Sequence, residues 1–341
     1  KNFEKLIYKA GSNLEEIILL YTHGQPAQPS TLAHYLGAVI EVILRDMERI
    51  YSALQNVDLC PMGAAAITTS GFNVDRELMA ELLGFHDCVE NSYGAIAACD
   101  YITASYSAMK LSCINLGRFV QDLASWTGFE ISQLYVPDGF VQISSIMPQK
   151  RNPVPVEHMR LMFSLASGGA EQIIETMHNT PFADMNDSER ETQSNGHQVF
   201  DRMKRALLLL SGFVEAIEVD QSSVNKRIDA SLATITELAD SIVRNEKISF
   251  RQAHQIAHKI AQTSIEQQKS LQEFSFEEYC CFFKSEIGDN AKMKPGIFNQ
   301  ISDPRHFVAV RNLRGGPSKD SMLESLQKYR EKGESYLEKI A

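Results

Sequence analysis

The chain has 341 residues, 44% hydrophobic and 22% charged, proportions of a globular protein that exclude disorder, collagen-like repeats and linker sequence. Asp and Glu number 43 against 33 Lys and Arg, a formal charge of −10 that disfavours nucleic acid as a partner. No apolar run reaches the roughly 20 residues a bilayer requires, and the charged stretch opening at Lys1 is unlike a signal peptide, so a cytoplasmic protein without membrane contact is expected.

Prolines and glycines cluster and leave long uninterrupted stretches that read as helices. The first segment of note, Thr22-His23-Gly24-Gln25-Pro26-Ala27-Gln28-Pro29, ends an apolar run, and Ser30 or Thr31 after it can cap a helix. From 30 to 57, Leu32, Leu36, Val39, Ile43, Met47, Ile50, Leu54 and Val57 recur in three- and four-residue steps and form one stripe. At 1.5 Å per residue that helix is roughly 42 Å long. Further helices are expected over 92–126, 156–177, 189–216, 232–245 and 250–268. Helices this long bury a narrow seam against neighbours, which is bundle geometry, and strand signals are nearly absent. The expected fold class is therefore all-α.

Two breaks interrupt the pattern. The turn cluster Tyr135-Val136-Pro137-Asp138-Gly139 opens a non-helical stretch that passes through Pro148 and Pro153 to 155, long for a loop within a helical protein. The mostly polar run 220–229 reads as a linker and places a boundary near Arg227, which divides the chain into 1–227 and a smaller helical unit, 228–341. The six cysteines (Cys60, Cys88, Cys99, Cys113, Cys280, Cys281) show no CxxC pair or zinc spacing and are expected as reduced thiols. Cys280 and Cys281, beside Tyr279, Phe282 and Phe283, read as small buried hydrophobes.

The long loop contains Ser144-Ser145-Ile146-Met147-Pro148-Gln149-Lys150-Arg151-Asn152-Pro153. Core packing has no use for this mixture of hydroxyls, amides and cations, although a polar surface loop would also hold it. A cation beside a hydroxyl can keep it partly ionised and can bind a carboxylate, and a mobile loop can close over a ligand. In the earlier segment, capping explains Ser30 or Thr31 but leaves His23 unexplained. Histidine suits proton transfer near neutrality, while a lone histidine is more often structural.

Together, THxQxAQP around His23 and SSxMPQKxNP from Ser144 resemble the signatures of the fumarase/aspartase superfamily, and their wording resembles the argininosuccinate lyase family. The likeness extends to Asp75-Arg76-Glu77, Leu83-Gly84-Phe85, Asn91-Ser92, Leu238-Ala239-Asp240, Phe250-Arg251 with Ala253-His254, Asp303-Pro304, Arg311 and Gly315-Gly316. The resemblance implies a homotetramer whose long helices form a central bundle, with active sites each drawing on three chains. It implies no cofactor and no metal. The implied reaction removes a proton beside a carboxylate of a small dicarboxylate-type substrate, passes through an aci-carboxylate and breaks a C–N bond to release fumarate. On this likeness Ser144 is the general base, and Lys150 and Asn152 stabilise the charge that builds up. His23 donates the proton to the departing amine, and Glu157 pairs with that histidine. Thr22, Ser145 and Gln149 contact substrate. Glu157 also reads simply as an acid in a first helical turn.

Three positions depart from the family. Ile143 stands where glycine is usual, and because a β-branched residue resists positive φ, a stiffer or differently shaped loop is expected. The stretch 182–192, where the family places a Tyr, a Gln and a Lys for the arginine-like end of the substrate, has none of them in place and reads equally as a helix start capped by Asp187 or Ser188. The chain also opens where a family member has completed an N-terminal domain. An aspartate adduct other than argininosuccinate, an amino-polycarboxylate, and a catalytically silent structural bundle therefore stand as alternatives. His254 and His258 share a helix face at the spacing of zinc ligands but lack the intervening glutamate of a metalloprotease helix, and Gly315-Gly316-Pro317 reads as a turn.

Overall fold

The computed structural model describes residues 1–340. Among them are fourteen α-helices: α1 (Asn2–Ser12), α2 (Leu32–Val57), α3 (Arg76–Leu83), α4 (Gly94–Ala97), α5 (Asp100–Thr127), α6 (Val154–Thr176), α7 (Arg190–Ala216), α8 (Gln221–Ser231), α9 (Ile235–Glu246), α10 (Phe250–Gln267), α11 (Phe276–Ile287), α12 (Pro295–Ile301), α13 (Pro304–Ala309) and α14 (Lys319–Ile340). The expected all-α class holds. Thr31 caps α2 by accepting the His34 amide at 3.1 Å, and Ser249 forms a reciprocal capping box with Gln252 at the start of α10. The helix expected over 92–126 is broken at Ala98, whose extended backbone (ψ 135°) separates α4 from α5.

Helices α2, α5, α6 and α7 pack side by side, with α1 and α14 laid against α2. Their shared core includes Leu36, Ile40, Phe163, Ala166, Leu210 and Phe213, and Met322, Leu326 and Tyr336 of α14 return to it from the chain's far end. A second core joins α9 to α12 through Leu238, Ile256, Tyr279 and Phe298. The predicted stripe on α2 is buried through Leu32 and Leu36, but its last third faces outward, with Ile50, Leu54 and Val57 41%, 43% and 42% exposed.

Three expectations are corrected. The polar run 220–229 is not a linker: it forms most of α8, which Asp220 caps through the Ser223 amide (3.0 Å) and which Val224 and Ile228 anchor. Two buried side chains in eleven residues give too thin an apolar stripe for periodicity to register. The second concerns β-structure. Residues 17–31 form an antiparallel hairpin of β1 (Ile17–Thr22) and β2 (Gln25–Thr31), whose prolines mask it as a strand and are tolerated because the sheet has only two strands. Third, Cys280 is half-buried and Cys281 is exposed, so the pair are not both core residues. The remaining strands are two-residue ladders: β3 (Leu59–Cys60) with β4 (Asp87–Cys88), β5 (Leu134–Tyr135) with β8 (Glu218–Val219), and β6 (Gln142–Ile143) with β7 (Arg151–Asn152). Among the described residues no helix is long and apolar enough to cross a membrane.

Phe213 is fully buried in the main core. Phe213→Ala is expected to destabilise the fold by about 3–5 kcal/mol, read as a lower urea midpoint at unchanged slope.

Candidate active site

His23 sits at the tip of the β1–β2 hairpin. Tyr21 pairs with Pro26 and Thr22 with Gln25, leaving a two-residue turn in which His23 (φ 54°) and Gly24 (φ 74°) both take left-handed backbone. That is the turn whose twist matches antiparallel strands, and it requires a residue such as glycine at its second position. A bulge between Leu19 and Tyr21 bends the strand just before the tip. Thr22 and His23 are exposed there, while Ile17 and Leu19 at the base pack on Val224, Ile228 and Val308.

The base of the hairpin is tied to the start of α2 and to the chain's final turn. His34 Nδ1 lies 2.7 Å from the Ser30 hydroxyl and its Nε2 lies 3.0 Å from the Gly315 carbonyl oxygen. A carbonyl can only accept, so Nε2 carries the proton and Nδ1 accepts from Ser30. Burial pushes the His34 pKa down, since the charged ring is disfavoured there. Sequence reading missed this histidine; the signal available was a serine four residues before it at a helix start.

The serine segment is a loop closed by the β6–β7 ladder, in which Gln142 pairs with Asn152 and Ile143 with Arg151. Ile143 thus occupies extended backbone, which a β-branched residue adopts readily, and the positive φ of the usual glycine is absent here. Ser144 Oγ accepts the amides of Met147 (3.0 Å) and Ile146 (3.3 Å), and the Ser144 amide approaches the Lys150 carbonyl at 3.4 Å. Two amide donors on one oxygen favour negative charge on it, the electrostatics a basic serine needs. Asn152 Nδ2 donates to Gln142 O at 3.1 Å. Arg151, absent from the predicted site, secures the loop's base: it donates to Asp138 (2.5 Å), to Val136 O (2.8 Å) and to the Tyr135 hydroxyl (3.3 Å).

Gln149, Lys150 and Asn152 line a cavity of about 560 Å3 together with Thr127, Leu134 and Asp220. Ser144 is half-buried at the loop's start, and Ser145 is exposed. Glu157 is an exposed residue in the first turn of α6, the helix into which the loop leads. Within one chain, then, Ser144, Ser145, Gln149, Lys150 and Asn152 share a loop, Glu157 follows it, and Thr22 and His23 project from a separate hairpin. Among the described residues no hydrogen bond or ion pair joins the two groups.

The divergent segment 182–192 packs against the turn before α5. Tyr93 donates to the Phe182 carbonyl at 2.9 Å, and their rings lie 5.9 Å apart. Burial and the neighbouring Asp100 and Asp187 carboxylates push the Cys99 thiol up, which places Asp187 beside that turn. Of the two expected caps, the Ser188 side chain lies outside the described residues; Asp187 is not the cap, since Glu189 occupies the N-cap of α7 without a side-chain bond and Asp187 offers its carbonyl to the Thr192 hydroxyl at 2.9 Å. His254 and His258 are exposed on α10, and among the described residues no group of three or more His, Cys, Asp or Glu is placed to hold a metal ion.

The lowered His34 value gives a pH test. The unfolded chain holds that proton more tightly, so the neutral ring contributes stability that is complete above the ordinary value of 6.5 and is lost as pH falls through the lowered one. Urea midpoints measured from pH 7.5 to 5 should fall more steeply for the native sequence than for His34→Gln.

Known proteins match this architecture. A lyase family model covers residues 2–168 and an argininosuccinate lyase C-terminal model covers 232–309. Argininosuccinate lyase 2 of Agrobacterium fabrum is 51% identical over 327 residues, 96% of this chain and 65% of that protein. The argininosuccinate lyase of Methanothrix thermoacetophila is 33% identical over 98% of this chain and 68% of its own length. Among solved structures, EDDS lyase in complex with formate superposes with a TM-score of 0.89 at 25% identity, over 98% of this chain and 67% of that one. The chain thus spans about two-thirds of the length of the relatives it matches. With both family models and a one-third-identical relative aligned across nearly all of its residues, the chain belongs to the argininosuccinate lyase family.

Proposed function

We propose that the protein is a cytoplasmic carbon–nitrogen lyase that cleaves argininosuccinate to arginine and fumarate. The observation that carries this reading is the Ser144 oxygen held by the amides of Ile146 and Met147 on the same loop as Lys150 and Asn152. In the proposed reaction Ser144 takes the proton from the carbon beside a carboxylate. The electron pair passes into that carboxylate, where Lys150 and Asn152 meet the added charge, which exists mainly at the transition state. The pair then forms the new C=C bond as the C–N bond breaks. His23, oriented by Glu157, protonates the leaving amine, and Thr22, Ser145 and Gln149 hold the substrate. Every electron moves within the substrate, so the scheme calls for no cofactor.

In this proposal His23 and Ser144 come from different protomers of a homotetramer, which accounts for their separate placement in one chain. The long helices offer the surface for such an assembly. Leu54 and Val57 of α2, Ile114 of α5, Leu161 of α6 and Phe200 and Leu208 of α7 are exposed. Leu54, Val57, Phe200 and Leu208 also line a largely apolar groove of about 510 Å3. Of the proposed division into 1–227 and 228–341, the separate core of α9–α12 supports a second unit, while residue 227 falls inside α8 and α14 packs on the bundle.

A second reading, elimination from a different aspartate adduct or an amino-polycarboxylate, is favoured by segment 182–192, which lacks the expected Tyr, Gln and Lys. Fumarate absorbance after addition of argininosuccinate tests the first. Turnover of another adduct in its place selects the second, and no turnover across a panel of adducts by a correctly assembled protein selects a silent scaffold. Ser144→Ala is expected to lower kcat by about 10²–10⁴-fold with assembly intact, and an unchanged rate removes this serine from the mechanism. Phe200→Asp should shift the sedimentation profile from tetramer to smaller species; an unaltered profile would place the subunit contacts elsewhere.

A further inference from the structure

Several family-like positions, Asp240, Asp303, Arg311, Gly315 and Gly316, take no part in the proposed proton transfers, yet the fold gathers them beside the hairpin. At the centre is Glu237 of α9, whose side chain is 1% exposed. Its carboxylate accepts from the Ser241 hydroxyl (3.0 Å), from Arg244 and from Arg311 (2.9 Å). Arg311 also donates to the Phe307 carbonyl at 2.7 Å, stacks its guanidinium 3.3 Å from the centre of the Phe307 ring, and lies 3.6 Å from Asp240. One side chain thereby joins α9 to α13, the short helix that Asp303 caps.

Both joined elements touch the hairpin. Thr236, next to Glu237, accepts from Gln28 of β2 at 3.3 Å, and Val308, next to Phe307, shares a core with Ile17 and Leu19 of β1. Beyond Arg311 the chain turns at Gly315 and Gly316, where a β-carbon on residue 316 would lie 2.3 Å from the Arg311 carbonyl oxygen. The Gly315 carbonyl then receives His34, in the first turn after β2. The hairpin is gripped along β1, along β2 and at its exit, and its tip is left projecting.

We infer that Arg311 and Glu237 are positioning residues that fix the pose of the Thr22–His23 tip, an inference that rests on the reading of His23 as proton donor. An ionic cluster on a buried carboxylate such as Glu237 is often no more stabilising than apolar packing of the same volume, but it holds its members in one geometry. Proton transfer is sensitive to such geometry, because a displacement of about 1 Å can cost on the order of 100-fold in rate.

The test uses the purified protein with two readouts, hydrogen exchange and fumarate release. Arg311→Met is expected to speed exchange of amides 21–28 about tenfold while those of α5 stay protected. It should lower kcat about tenfold with KM within about twofold, and Arg311→Lys should recover part of the loss. Thr236→Val, which removes the Gln28 contact and spares the ionic cluster, should give a smaller rise over the same amides and carries the test should Arg311→Met fail to fold. Unchanged exchange at 21–28 in these variants overturns the inference whatever the activity. So does an Arg311→Met protein with a lowered melting temperature but native kcat at temperatures where it is folded. Native protein that releases fumarate from no aspartate adduct refutes the lyase reading alone, and faster exchange in the variants then still supports the clamp.

Discussion

At Gly169 of α6 a β-carbon would lie 2.7 Å from Val199 of α7, and at Gly196 of α7 one would lie 1.9 Å from the Tyr106 hydroxyl of α5. The two glycines leave room for the Val199 and Tyr106 side chains, which fill the space beside them. Small buried residues nearby, Ala166, Ala170 and Ala206, continue the close contact along the seam. Interiors packed at this density do not deform smoothly, so the seam sets the positions of the helix ends. The rest of the molecule inherits that precision: the serine loop runs directly into α6 and the His23 hairpin directly into α2.

The two segments to which the proposed chemistry is assigned share a method of construction. Each is a short antiparallel ladder ending in a loop whose shape is set mainly by backbone hydrogen bonds. In the hairpin the left-handed turn at His23 and Gly24 leaves His23 exposed at the tip. In the serine loop the β6–β7 ladder brings Gln142 opposite Asn152, and Ser144 folds its hydroxyl back under two amides. Backbone donors cannot change protonation state and need little reorganisation, which makes them suitable partners for an oxygen that gains charge during a reaction.

The long helices were legible because their apolar residues recur in three- and four-residue steps, as they do along nearly all of α2, where the Thr31 cap agrees with the pattern. The serine loop was legible for the opposite reason, since its composition suits neither a core nor a helix. The hairpin was not, because Pro26 and Pro29 read as loop residues and are tolerated only because each strand of this two-stranded sheet has a free edge. Helix α8 was lost to its polarity, and the break at Ala98 left no Pro or Gly to mark it. The ionic cluster at Glu237 could not be read at all. It joins residues 237, 244 and 311, and nothing in the spacing of one sequence indicates that a glutamate will be buried or which arginine will reach it.

In the single chain the loop residues Ser145, Gln149 and Lys150 are exposed, a poor setting for the proposed carbanion chemistry. Two unit charges 4 Å apart attract by about 1 kcal/mol in bulk water and about 4 kcal/mol at the effective dielectric found near protein. In the proposed reaction Lys150 therefore gains most of its influence over a developing aci-carboxylate only when water is displaced. The exposed apolar residues of the long helices and the open cavity beside Lys150 pose related problems, apolar surface without cover and a charged loop without enclosure. In the proposed tetramer one association event addresses both, since packing the helices of neighbouring protomers brings a hairpin tip and its imidazole toward another protomer's loop. Apolar burial then supplies the free energy that dehydrates the site, which ties catalytic competence to assembly.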